Sequence, residues 1–151
     1  MKVNTRLFGE IEIADEKIIS FEDGVIGFPE FKKFTLIYDE EKKEKEGAVS
    51  IIWLQSLDDE VFALPIMNPL IVSPDYNPHI EDEYLLPLGE LNEVNTMAYV
   101  TVTIPSEIEK ISVNLRAPII INADTRKGAQ IIVEEDFPVK YPIYQIIKKE
   151  D

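Results

Sequence analysis

Ten prolines cut this 151-residue chain into short apolar runs, and the clearest of those runs repeat every second residue. Proline has no backbone N–H, so it breaks a helix interior and stands in a sheet only at an edge, an end or a bulge. A chain punctuated this often cannot build long helices or long central strands. It must bury its apolar surface through many short strands, and that predicts a sandwich or barrel.

The strands are predicted from alternation. Glu10-Ile11-Glu12-Ile13 alternates strictly, and Lys17 to Phe21 follows after the polar link Ala14-Asp15-Glu16. Phe34 to Tyr38, Ala48 to Leu54 and Val61 to Leu64 come next, the last ended by Pro65. The clearest run is Ala98 to Ile104. Ala98, Val100, Val102 and Ile104 share one face, read as core; Tyr99, Thr101 and Thr103 share the other, read as solvent-facing with Tyr99 half buried. In Ser112 to Ala117, Val113, Leu115 and Ala117 point inward and Asn114 and Arg116 outward. Pro118 then interrupts, and Ile119-Ile120-Ile121 is apolar on both faces, as in a strand that bends beneath another element. Asp124 to Gly128 is a turn, with Ala129 to Val133 returning as the hairpin partner, and Ile143 to Ile147 is a last strand.

Helical signals are few. Ser106-Glu107-Ile108-Glu109 has the capping-box pattern and room for one turn. Ile80 to Leu86 reads as a short helix closed by Pro87. The charged stretch Asp39 to Gly47 has no apolar face and reads as a solvated loop, and the tail Lys148 to Asp151 as a frayed end. The expectation is one all-β domain over residues 1–151, a small closed or nearly closed β-barrel with one or two short helical turns.

Charge narrows the function. There are 29 acidic against 15 basic side chains, a net charge of −14. Nucleic acid is a polyanion and is repelled by such a field, while a basic protein is attracted. Cysteine is absent, which excludes disulfides, thiolate catalysis and sulfur-ligated zinc. No apolar run has the length of a membrane span and no signal peptide is visible, so a soluble cytoplasmic protein is expected.

Catalytic patterns are thin. His79, the only histidine, sits in the turn-rich Asp75-Tyr76-Asn77-Pro78-His79 with no serine elbow beside it. Asp58-Asp59-Glu60, Glu81-Asp82-Glu83 and Glu134-Glu135-Asp136 could supply acid–base pairs, though triplets beside strand ends are usually solvated turns. Gly24-Val25-Ile26-Gly27 lacks the Lys-Ser/Thr ending of a phosphate loop; its reading is backbone geometry, with Phe28 and Phe31 dropping into the core. Trp53 reads as a core anchor, and Gln55 and Ser56 as exposed or capping the next turn. The Asn114 and Asn122 amides could pin a bend. No cofactor or metal is implied.

Four segments together resemble the FliW flagellar assembly factor family over nearly the whole chain: Thr5-Arg6-Leu7-Phe8-Gly9, Gly24 to Pro29, Trp53-Leu54-Gln55-Ser56 and Asn114 to Asn122. Ile26 stands where that family usually has proline. The resemblance implies a non-enzymatic cytoplasmic β-barrel with two alternative partners. One is CsrA, a basic translational repressor, whose repression of flagellin mRNA is relieved on binding. The other is flagellin, held before export. It implies no direct contact with nucleic acid or membrane, and a monomer when free.

Surface character, not the resemblance, selects the partner-binding residues. Tyr76, Ile80, Glu81, Asp82 and Glu83 combine apolar and acidic groups suited to a Lys- or Arg-bearing protein, with Asn114 and Arg116 as secondary members. Two other readings stay open. An acidic hydrolase needs two carboxyls converging in a cleft, and a small-ligand carrier needs an apolar cavity inside the barrel.

Overall fold

The computed structural model describes residues 1–38 and 51–148. The charged loop expected at 39–47, the start of the fourth strand at 48–50 and the tail at 149–151 lie outside the described residues. In chain order the elements are β1 (Lys2–Thr5), β2 (Gly9–Glu12), β3 (Ile19–Phe21), β4 (Lys33–Tyr38), β5 (Ile52–Ser56) and β6 (Ala63–Met67). A helix α1 (Asp82–Leu85) precedes β7 (Thr96–Thr103), β8 (Ser112–Val113), β9 (Ile119–Asn122), β10 (Lys127–Gln130), β11 (Tyr141–Pro142) and a terminal helix α2 (Tyr144–Lys148). Turns of 3-10 helix lie at Asp15–Lys17, Pro69–Ile71, Leu86–Leu88 and Ile108–Lys110.

The strand order β7-β6-β5-β4-β3-β10-β9 closes on itself because β9 also pairs with β7, Met97 opposite Ile121 and Tyr99 opposite Ile119. Seven strands therefore make a closed barrel, in which β7 and β9, the ends of the strand order, pair with each other. One closing pair, β3 with β10, is parallel; the others are antiparallel. β8 and β11 extend the sheet from β7 beyond the barrel, and the β1–β2 hairpin pairs separately.

The interior is filled with side chains. Phe21, Phe34, Leu54, Ile66, Ile119 and Ile121 are all buried to within about one per cent of full enclosure, and Phe21 meets Phe34 edge-on at 5.1 Å. Gly128 makes this possible: a Cβ there would stand 2.6 Å from the Phe21 ring. Such a core leaves no room inside the barrel for the ligand of a small-molecule carrier.

β7 corrects the expected facing. Met97 and Tyr99 turn into the barrel, while Val100 and Val102 pack outside it against Met67, Ile111, Val113 and Ile143. Ala98 and Ile104, expected inside, are exposed. The alternation is real, but both of its faces meet a core, so the more apolar face does not mark the inside. Ile119-Ile120-Ile121 behaves as expected: Ile119 and Ile121 line the barrel and Ile120 joins an outer cluster with Leu88 and Ile131.

Three other expectations are overturned. Ile143 to Ile147 is not a strand. Ile146 and Ile147 N–H groups both donate to the Ile143 carbonyl at 3.0 Å, and the three isoleucines recur at helical i, i+3, i+4 spacing against the outer core. Pro65 does not end β6. Ser56 N–H donates to the Phe62 carbonyl, so bonded pairs recur at every second residue of β5 and Trp53–Pro65 is a non-bonded pair. Pro65 also precedes the first β6–β7 pair, Ile66 with Thr101, so its missing N–H is not needed. Ser106 caps nothing; the turn begins later, after Glu107, without a side-chain cap.

Candidate functional site

The family-like segments turn out to be joints of the barrel. Gly24 holds φ +68°, and a Cβ there would lie 2.5 Å from the Phe28 carbonyl oxygen and 2.6 Å from Pro29 Cα, so only glycine fits. The turn it makes presents Phe28 to a cluster with Phe31 and Phe62, at 5.6 and 4.4 Å. Phe31 packs on the core as expected, but Phe28 stays 38% exposed. Trp53 is only half buried, with its ring edge toward Phe8 at 6.3 Å. Gln55 and Ser56 are fully buried. Ser56 Oγ caps the next turn by accepting from Asp58 and Asp59 N–H at 3.0 Å. Asn122 is a buried pin: Nδ2 donates to the Leu88 and Glu90 carbonyls, and Oδ1 accepts from Asp124 and Thr125 N–H.

The residues expected to bind partners divide into two kinds. Tyr76 is buried: its hydroxyl donates to the Leu115 carbonyl at 2.5 Å and its ring meets Phe137 edge-on at 5.0 Å. Burial, with the Glu135 charge adding to it, pushes the Tyr76 pKa up to about 12. Ile80 is half buried against the Leu88–Ile120–Ile131 cluster. Glu81, Asp82 and Glu83 are exposed; Asp82 and Glu83 form the first turn of α1, where a carboxylate is favoured by the helix dipole. Asn114 Oδ1 accepts from Arg116 N–H at 2.9 Å, the expected pinning role. Arg116 is more than a surface charge. Its Nε donates to the Phe137 carbonyl at 2.8 Å and its guanidinium pairs with Asp136.

The joining segment holds an acidic triplet that the sequence reading names but leaves out of the partner-binding set. Glu135 accepts from the His79 N–H at 2.5 Å, while His79 Nε2 lies 3.4 Å from Glu81. Asp136 holds Arg116, and Phe137 covers Tyr76. Residues Glu134 to Phe137 thus tie the Tyr76–Glu83 loop to the Asn114–Arg116 strand end. His79 donates to Glu135 and stands beside Glu81, so two acidic triplets, Glu81-Asp82-Glu83 and Glu134-Glu135-Asp136, meet there as an acidic ridge whose six carboxylates are exposed. Nothing in the spacing of the triplets, so far apart in the chain, announces this. The third triplet lies elsewhere, with Asp58 Oδ2 accepting from Lys32 and Lys33 N–H at 2.7 and 3.0 Å.

A second feature flanks α1. A groove of about 930 Å³ runs over the outer side of the barrel wall, between the Gly24–Gly27 turn and the Tyr84–Leu88 segment. Its floor is β10 and the residues after it. Among the described residues, no group of three or more His, Asp or Glu is arranged to hold a metal ion, and no helix is long and apolar enough to cross a membrane.

Comparisons with known proteins converge. The family model described as FliW protein matches residues 2–143. A flagellar assembly factor FliW of Lachnospira eligens is 48% identical, the match covering 100% of this chain and 99% of that protein. One of Thermotoga neapolitana is 43% identical over 93% of this chain and 91% of its own. A crystal structure of the flagellar assembly factor FliW superposes with a TM-score of 0.85 at 30% identity, covering 95% of this chain and 97% of that one.

Proposed function

The chain belongs to the FliW family of flagellar assembly factors, and on that premise we propose that it works without catalysis, by docking two alternative protein partners in the cytoplasm. One partner is CsrA, bound through the acidic ridge so that repression of flagellin mRNA is relieved. The other is flagellin, held before export, whose binding returns CsrA to its message. Such an exchange needs only that the two complexes exclude or weaken each other, because linkage fixes the sign in both directions.

The observation that carries this reading is the ridge. Two triplets of exposed carboxylates that meet at His79, with Tyr84 at 51% and Val139 at 50% exposure close to them in the chain, present the mixture that suits a basic protein partner. The hydrolase reading fares worse, since an acid–base pair needs a shielded carboxyl with its pKa raised, and the ridge is open to solvent.

Mixing the purified chain with CsrA and with flagellin tests the proposal. Stoichiometric complexes are expected with each, the CsrA complex weakening as salt rises. Failure of both to form at low salt would remove the proposal.

A further inference from the structure

We propose that the groove beside α1 docks a segment of a protein partner that carries apolar side chains next to a carboxylate, which makes it a second binding surface, opposite in charge preference to the acidic ridge. This rests on the docking function proposed above and names the chemistry one of its partner segments must have.

The groove exists because β3 is short. β3 partners β10 only at Lys127 with Ser20 and Gly128 with Phe21. Gly24 N–H then donates to the Phe21 carbonyl at 3.0 Å and the chain turns away. The rest of β10 and the residues after it keep no strand neighbour on that side. The Gly24–Gly27 turn does not close over them; it is fastened at one point, where Ile26 N–H donates to Gln130 Oε1 at 2.9 Å. The opening is walled by Ile26, Ile132 and Tyr84, which are 48%, 62% and 51% exposed. Apolar side chains this exposed on both walls of one groove are a surface that gains by being covered.

The polar end of the groove chooses the occupant. Lys127, Ser20 and Lys33 stand side by side across β10, β3 and β4, which puts the two lysine backbones about 10 Å apart, two strand spacings. Lys33 Nζ donates to Ser20 Oγ at 2.7 Å, and Lys32 Nζ to the Glu22 carbonyl at 2.8 Å. The ion pairs among the described residues are His79–Glu81, Lys110–Glu107 and Arg116–Asp136, so none of these three lysines pairs with a carboxylate among the described residues. In a chain with 29 acidic against 15 basic side chains, the groove carries three lysines against Glu22 and Asp23. A carboxylate arriving between Lys33 and Lys127 accepts from both, while the apolar part of the same segment covers Ile26, Ile132 and Tyr84.

The test is selection of a random twelve-residue peptide library on the full chain. Each selected peptide is then measured against wild type, Lys33→Glu/Lys127→Glu and Ile132→Asp, all three checked for unchanged thermal unfolding. The expected peptides combine apolar residues with Asp or Glu and weaken about tenfold or more in each variant. Basic peptides, peptides indifferent to the variants, or no selectable peptide would overturn the proposal, as would a change of oligomeric state in the variants, which marks a second copy as the occupant. Loss of CsrA and flagellin binding in the earlier experiment, with acidic–apolar peptides still selected, would remove the named partners and leave the groove assigned.

Discussion

Gly128 and Ile132 stand on the same run of chain and live under opposite rules. Gly128 faces inward, where a single added carbon would meet the Phe21 ring. Ile132 faces outward and keeps 62% of its surface in water. The barrel wall is filled to its limit on one side and left open on the other. The contrast teaches that the family-like sequence segments secure the wall, while the surface proposed to meet partners is written in residues whose local pattern looks ordinary.

Substitutions separate the two sides. Phe21→Ala should have the largest effect, a loss of about 3–5 kcal/mol in urea unfolding, because a fully enclosed ring leaves a cavity. Gly128→Ala should cost about 1–3 kcal/mol by overpacking the same ring. Pairing it with Phe21→Leu should recover part of that loss, and additivity of the two changes would break the claim that they share one contact.

Tyr76 probes the joint between wall and ridge. Its folded pKa of about 12 lies above the 10.0 of an ordinary tyrosine. Below pH 10 the phenol is neutral in both states and its contribution to stability is complete. Between about pH 10 and 12 the unfolded chain releases the proton first, so stability falls as pH rises. Tyr76→Phe should lose about 1 kcal/mol at neutral pH with the hydroxyl's hydrogen bond. It should also flatten the alkaline slope of the unfolding midpoint relative to wild type; an identical slope would place the titration elsewhere.

On the outer side, Asp82→Lys should change unfolding by no more than about 0.5 kcal/mol. A larger loss would mean that the ridge is part of the scaffold, and the comparison would fail.

Much of the wall was legible in the sequence. Val113, Leu115 and Ala117 are buried as the alternation says, although the strand there stops at Val113 and Val113 and Leu115 pack in the core outside the barrel, and the doubly apolar Ile119-Ile120-Ile121 announced a strand between two cores. What misled was context that a linear pattern does not carry. β7 has a core on each face, so its alternation could not say which was the barrel. Ile143 to Ile147 is rich in β-branched residues, and its helical spacing shows only once the outer core is known. Pro65 broke a run that the register lets it join. The candidate site was half legible. Glu81-Asp82-Glu83 is exposed as expected, but Tyr76 looked like a surface aromatic and is held inside by the Leu115 carbonyl. Glu134-Glu135-Asp136 enters the ridge through contacts with His79 and Arg116, distant in sequence from it.

Calorimetric titration of CsrA into wild type and into Asp82→Lys/Glu83→Lys, each at low and at high salt, bears most directly on the idea that a rigid barrel acts through its charged exterior. Wild type should bind stoichiometrically and weaken with salt, and the double variant should bind at least about tenfold more weakly with unchanged unfolding. Equal affinity for both proteins, insensitive to salt, would contradict it.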